Sequence, residues 1–186
     1  TSLSSANWSG WEEFSDFIIY SVSRQECSYH FENESRKSGG VAVLIKSDYN
    51  SGRVEDFEDK NLEMVCTTAE IGNVQLLITG IYKDHKMSKK LFLSKMEQVF
   101  ENHNSTFSII LGDFNLYEES GCYMERLVHM ADENGLIPVV NEGTTINDHL
   151  LDQIFITDTG KTNHLKTVVL PSYFSDHNLI VLCFEK

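Results

Sequence analysis

An apolar run at residues 107–111 is closed by Gly112-Asp113-Phe114-Asn115. Side chains alternate along a strand, so Asp113 and Asn115 are expected on one side of its end and Phe114 on the other, in packing. A carboxylate beside a carboxamide suits a phosphate. The carboxylate can align or deprotonate an attacking water. The amide can donate to a phosphoryl oxygen without adding negative charge. The same four residues also read as a turn, since Gly, Asp and Asn are common turn formers.

Two other stretches carry comparable chemistry. Ser175-Asp176-His177 precedes the last apolar run. A carboxylate bonded to an imidazole orients it and raises its pKa. The resulting cation would stabilise charge developing on a phosphorane. A surface loop is the other reading. In Leu151-Asp152-Gln153-Ile154-Phe155-Ile156 one aspartate sits inside an apolar strand. Burying it alone would cost several kcal/mol or more, so it needs a cation, a histidine or several N–H donors. His177 would serve. Alternation also allows Asp152 to face outward.

Weaker candidates surround these. Tyr82 ends another apolar run, where its phenol could donate to a phosphate or simply pack. Thr144 and Thr145 occupy a polar loop and could contact a phosphate or form a turn. Lys83, Lys86, Lys89 and Lys90 form the basic cluster, read as a solvated loop and helix start. His129, His149 and His164 have no pattern to single them out.

The elements that must position these residues are mostly strands. Strands are expected at residues 16–23, 41–45 after Gly39-Gly40, 62–70, 74–82, 107–111, 137–140, 151–156, 165–170 and 179–184. Ile71-Gly72-Asn73 reads as a hairpin turn between the third and fourth. A helix fits residues 88–103, with Phe92, Met96, Val99 and Phe100 on one face. A second fits residues 123–134, with Met124, Leu127, Val128 and Ala131 inward and Gly135 as a left-handed cap. Strands outnumbering interspersed helices suggest two packed sheets with helices outside, not a doubly wound sheet. No GxGxxG or GxxxxGK[ST] loop is present, which removes the main support for a nucleotide-cradling loop.

Bulk properties narrow the function. The chain has 186 residues, fitting one domain over residues 1–186, and 41% hydrophobic residues, enough to bury a core. Its 28 acidic and 15 basic residues give a net charge of -13. That argues against tight non-specific binding to DNA, which relies on Lys and Arg. Four separated cysteines, Cys27, Cys66, Cys122 and Cys183, make no CxxC pair and read as buried free thiols in a reducing compartment. No stretch reaches the ~18 apolar residues of a membrane helix. An intracellular location, nucleus or cytoplasm, is expected.

The order of motifs carries a resemblance. Gly39-Gly40 before 41–45, Tyr82, the GDFN of 112–115, Asp152 in LDQI and the SDH of 175–177 fall in the order of the endonuclease/exonuclease/phosphatase superfamily. The Gly-Gly-Val-Ala-Val strand and the LDQIFI segment are most similar to endonuclease domains of LINE-type retrotransposons. The resemblance implies a DNase I-like α/β fold, a four-layer sandwich of two mixed β-sheets flanked by helices. It implies phosphodiester hydrolysis with Mg2+, or Mn2+. Asp113 would orient the water, Asn115 contact the phosphate, and His177 stabilise the transition state with Asp152 as partner. Asp176 would support the metal or the histidine, Tyr82 would hold a phosphoryl oxygen, and Thr145, or Thr144, would fill the family's threonine position.

One departure stands out. In the family an early strand carries an Asn and the next ends in a metal-binding Glu, commonly Glu-Thr. Thr1-Ser2-Leu3 looks like the tail of that motif, and Glu12 and Glu13 lie past the expected place. The chain is therefore expected to be N-terminally truncated, without its principal Glu ligand and with little activity of its own. The parent would nick DNA, with a reverse-transcriptase domain as partner in its polyprotein. Two alternatives stay open: a phosphatase or phospholipid phosphodiesterase of the same fold, and a catalytically inactive relic or binding module.

Overall fold

Alternating apolar residues build most of the chain into strands. In a computed structural model, which describes residues 14–27, 39–103, 107–117, 121–159 and 165–184, ten strands and two α-helices are found. The readings placed on Thr1-Ser2-Leu3, Glu12, Glu13 and His164 lie outside the described residues.

A six-stranded mixed sheet forms the centre, in the order β3 (Ser51–Arg53), β4 (Glu63–Ile71), β5 (Val74–Tyr82), β6 (Phe107–Asp113), β8 (Asp152–Thr157), β7 (Leu136–Pro138). The turn between β4 and β5 is the expected hairpin, with Gly72 at φ 64. β5 and β6 run parallel, so a crossover must join them. Helix α1 (Lys89–His103) makes it. Helix α2 (Cys122–Glu133) follows β6 and stops at Asn134, with Gly135 at φ 70 as expected. The three-residue β3 was not foreseen.

The two faces of the sheet bury different partners. On one, Phe92, Met96 and Phe100 of α1 and Leu127 and Ala131 of α2 pack on Met64, Ile110 and Phe155. On the other lie two antiparallel hairpins. β9 (Leu165–Leu170) and β10 (Leu179–Phe184) set Leu165, Val169, Ile180 and Leu182 against Ile109, Ile154 and Ile156. β1 (Phe17–Ser23) and β2 (Gly40–Lys46) set Val22, Val41 and Val43 against Val65. Gly80 of β5 leaves room for this, because a Cβ there would come within 3.0 Å of Val41 Cγ1.

The chain is thus an α/β sandwich, as expected, with two differences in its layers. Both helices lie on the same side of the six-stranded sheet. The opposing layer is two separate hairpins, not one mixed sheet, among the described residues. No strand among those residues pairs the second edge of β2, and a groove of about 400 Å³ runs there, lined by 41–45, Ile78, Gly80 and Leu111. The cysteines also divide. Cys27 and Cys66 are buried, and burial pushes their thiols up to about 12 and about 11. Cys122 and Cys183 are exposed, contrary to the expectation of four buried thiols. No described helix is long and apolar enough to cross a membrane.

His103 closes α1 inside the core. Its Nδ1 donates to the Val99 carbonyl at 2.7 Å, leaving Nε2 to accept from the Thr79 hydroxyl at 2.7 Å. Burial pulls its pKa from 6.5 down to about 4, against a smaller upward pull from the Val99 bond. The folded state therefore holds it neutral where the unfolded state takes a proton. Its contribution, roughly 3 kcal/mol, is present above pH 6.5 and is lost as pH falls toward 4. Urea titrations of the wild type and His103→Gln should show a steeper loss of stability in the wild type over that window. Equal slopes would count against the neutral buried imidazole.

Candidate active site

Register places the chemistry. Glu63 of β4 pairs with Tyr82 of β5, Tyr82 with Asp113 of β6, and Asp113 with Asp152 of β8. Four polar side chains therefore stand in one row across neighbouring strands, which lie ~4.8 Å apart. They share a face with Val65, Ile109 and Ile154, so the row looks toward the hairpin layer. His177 arrives from that layer, just before β10. An isolated antiparallel bridge between Thr145 and His177 fixes its height.

The imidazole joins two carboxylates. His177 Nδ1 donates to Asp152 Oδ2 at 2.8 Å, and Nε2 stands 3.9 Å from Asp113 Oδ2. The ligand atoms of Asp113, Asp152 and His177 all lie within 4.8 Å of one another. Burial, then the neighbouring Asp152 carboxylate, pushes Asp113 up to about 6. Burial would lower His177, but the bond to Asp152 and the charges of Asp152 and Asp113 outweigh it, so its pKa is raised.

Local backbone holds Asp113 in place. Gly112 has φ 152, and a Cβ there would meet the Ile81 carbonyl oxygen at 1.7 Å. β6 ends at Asp113, so strand alternation does not bring Asn115 alongside. A left-handed turn does, with Asn115 at φ 45, a conformation asparagine tolerates. The Asn115 backbone amide donates to Asp113 Oδ1 at 3.0 Å. Its Nδ2 donates to Asp113 Oδ2 and to the Lys83 carbonyl, both at 2.9 Å. Phe114 is buried against Phe92 and Phe155, as expected.

The other candidates separate. Tyr82 is half-buried beside Asp113, under the guanidinium of Arg24 at 5.3 Å, and burial raises its pKa. Asp176 is exposed and lies outside the three-residue group. Its carboxylate accepts from the Ser175 hydroxyl at 3.4 Å. Thr145 accepts the His149 amide at 3.1 Å. Thr144 is the more deeply buried threonine. Its Oγ1 accepts the amides of Leu151 and Asp152 at 3.1 and 3.0 Å, and its carbonyl accepts the Asn178 amide at 2.7 Å. One residue thus ties the strand carrying Asp152 to the segment carrying His177.

Three contributors were missed in the sequence. Lys83 is buried, not solvated. Its Nζ donates to the Asp84 carbonyl at 3.0 Å, and burial lowers its pKa. Arg24 bonds Glu63 at 2.7 Å and caps the row next to Tyr82. Gln153 donates to and accepts from the Val140 backbone, anchoring β8 beside Asp152. Local sequence carries no signal for the first two, because both depend on pairing across strands. An amide following Asp152 in an apolar strand could have pointed to the third.

No protein-family model and no curated protein matches the sequence. Solved structures match in fold. The endonuclease domain of TRAS1, a telomere-specific non-LTR retrotransposon, has a TM-score of 0.69 at 13% identity, over 90% of this chain and 77% of that one. An endonuclease/exonuclease/phosphatase family protein from Bacteroides thetaiotaomicron has 0.56 at 13%, over 91% and 75%. D. rerio TDP2 complexed with single strand DNA product has 0.57 at 12%, over 92% and 78%. At these identities the likeness is one of fold. It agrees with the α/β sandwich that the resemblance read from the motifs implies.

Two outcomes follow from the geometry. Gly112→Ala should lose at least ~2 kcal/mol of stability in chemical denaturation, because neither the backbone angle nor the Ile81 carbonyl admits a side chain. A variant as stable as the parent would contradict the tight approach of β5 and β6. In NMR titration, the His177 ring should have a pKa above the ordinary 6.5 and lose that elevation in Asp152→Asn. An unchanged pKa would show that Asp152 does not hold the imidazole.

Proposed function

We propose that the chain is a phosphodiester hydrolase acting on DNA, a nicking endonuclease of non-LTR-retrotransposon type. The observation that carries this reading is His177 set between Asp113 and Asp152 at the end of adjacent strands. Support comes from the likeness to the TRAS1 endonuclease domain and to TDP2 complexed with single strand DNA product.

Each residue takes a role from its position. Asp113, raised to about 6, aligns the attacking water and accepts its proton. His177, held in one orientation by Asp152, presents Nε2 to a phosphoryl oxygen as a cation. Asn115 fixes Asp113. It contacts the phosphate only by exchanging one of its present bonds. Tyr82 offers a phenol from the next strand.

The residues present fit a divalent cation. Two carboxylates stand side by side, one with its pKa raised partly by the other, and a cation between them relieves that repulsion. Mg2+ is commonly held by one or two carboxylates, with waters and substrate phosphate oxygens completing its shell. Asp113 and Asp152 would hold it, with Asp176 able to approach only if its exposed side chain turns. When bound, the ion would polarise a phosphoryl oxygen. A reverse-transcriptase domain in the same polyprotein would use the 3' hydroxyl left by a nick.

Supercoiled plasmid, incubated at millimolar Mg2+ or Mn2+ with a protein that carries this chain together with the family's Asn-bearing strand and Glu, should relax to the nicked circle, whereas residues 1–186 alone should nick it little. Chelation should stop this, and His177→Ala should slow it by roughly 100-fold or more. Intact plasmid alongside phosphate release from small phosphomonoesters would replace the nuclease with a phosphatase. No turnover of either, and no heat of Mg2+ or Mn2+ binding, would leave a non-catalytic module.

A further inference from the structure

Tyr82 offers a phenol to a phosphoryl oxygen, yet a phenol by itself has no fixed donor direction. Its hydroxyl proton rotates, and its ring turns about a soft torsion. Several segments converge on this ring. Arg24 opens the short turn Arg24–Glu26 that follows β1. That turn is braced, since the Ser23 amide donates to Glu26 Oε2 at 2.6 Å and the Arg24 amide to the Gly39 carbonyl at 3.0 Å. The guanidinium lies over the Tyr82 ring, with Cζ 5.3 Å from the centroid, and the Arg24 side chain is only 13% exposed. Its Nε donates to Glu63 Oε1 at 2.7 Å and stands 3.9 Å from Asp84 Oδ2. Glu63 is the register partner of Tyr82, so the ion pair is built beside the ring. Gly39, at φ 129, leaves the guanidinium its place: a Cβ there would come within 2.9 Å of Arg24 Cζ. The His85 ring meets the Tyr82 ring edge-on, centroids 6.4 Å apart and planes at 90°.

Stability alone is a weak reason for such a pair. Taking two charges out of water offsets their attraction, and apolar side chains of the same volume often serve as well. What the pair supplies is geometry. The bond to Glu63 sets the plane of the guanidinium, and a planar cation within ~6 Å of an aromatic face is attracted to it. Arginine also has donors only. Burial raises the Tyr82 pKa, and the guanidinium pulls it back by charge and by hydrogen bonding to the phenol oxygen. A phenol oxygen that accepts from Arg24 must point its own proton elsewhere. On the side away from Glu63, the next strand brings Asp113.

We infer that Arg24 is a positioning residue: anchored by Glu63 and admitted by Gly39, it holds the Tyr82 phenol as a hydrogen-bond donor on the Asp113 side, where the scissile phosphate lies. The phosphate in this statement rests on the phosphodiester reading of the site, whereas the clamp on the ring does not. Arg24 itself makes no contact with the substrate. Its effect on hydrolysis runs through the Tyr82 hydroxyl, and a lysine, a point charge without the planar fork, does not replace it.

The clamp is tested on residues 1–186 without substrate. With 13C in the tyrosine rings, and Tyr82 assigned by its loss in Tyr82→Phe, NMR relaxation reads the rate of ring flipping. Arg24→Lys should speed the Tyr82 flip roughly tenfold or more. The Tyr20 ring, whose hydroxyl lies 2.9 Å from Ser51 Oγ, should keep its rate. Thermal melts check the fold. Should Arg24→Lys melt early, Arg24→Gln/Glu63→Gln takes its place, because it leaves no charge buried alone. Equal flip rates overturn the inference. The consequence is read in the protein that also carries the family's Asn-bearing strand and Glu. There Tyr82→Phe should lower kcat for nicking roughly 100-fold. Arg24→Lys should lower it roughly tenfold or more, with KM within about twofold. Added to Tyr82→Phe, Arg24→Lys should lower kcat by less than about twofold further. A full loss on that background, or a change confined to KM, also overturns the inference, because Arg24 would then act on its own. No nicking by the extended wild type counts against the hydrolase reading alone, and the flip rates still decide the clamp.

Discussion

Two carboxylates on adjacent strand ends repel each other, and much of the local structure answers that repulsion. Asp113 and Asp152 are neighbours in register on a face that also carries the apolar contact with the hairpins. Water reaches them only in part, so neither can be neutralised by solvent alone. The imidazole of His177 enters between them, bonded to one and near the other. The cost of holding charge there is offset only while all three stay in place, since removing one partner from a mostly buried group leaves the others uncompensated. That dependence couples the last hairpin to the central sheet at one point, through the residues that also have chemistry to do.

Backbone geometry supplies the rigidity such a cluster needs. Gly112 lets β6 come against the Ile81 carbonyl, and Asn115 turns the chain back so that its amides grip the Asp113 carboxylate. Thr144 does the corresponding work on the other side, accepting two amides at the start of β8 and binding Asn178 through its carbonyl. A helical or loop-borne aspartate would lack these restraints. Strand pairing gives each carboxylate a fixed neighbour at a fixed spacing.

Sequence patterns exposed the pieces of this arrangement better than their joining. The hairpin at Gly72, the α1 face of Phe92, Met96, Val99 and Phe100, and the cap at Gly135 were legible because each is local, set by turn chemistry or helical period. Asp152 was legible as a buried charge in need of a partner, and His177 as a candidate partner, because burial cost is itself a physical constraint. The parts played by Arg24 and Lys83 were not, and Thr144 was legible as a candidate but not as the tie between two segments. Their roles depend on which strands lie side by side, and a lysine or threonine in a polar loop looks the same whether solvated or enclosed. The layer opposite the helices is legible only in part, for a related reason. Alternation shows that 17–23, 40–46, 165–170 and 179–184 each have an inward face, yet it cannot say whether two hairpins join into one sheet.

The acidic balance of the chain constrains how any polynucleotide could be held. A basic groove brings affinity that collapses with salt and is indifferent to bases. Here Arg24 and Lys83 are bound to the protein's own groups, Lys89 donates to the Tyr117 carbonyl, and the exposed residues beside His177 mix Ser175 and Asp176 with Tyr173 and Phe174, of which only the last two could make contacts that do not depend on charge. Contacts of that kind weaken little with salt, because they release few counterions. They require bases that have left the duplex stack. The chemistry at Asp113 and His177 needs only a phosphodiester, so what the rim admits, and not the hydrolytic row, would decide which phosphodiester is cut.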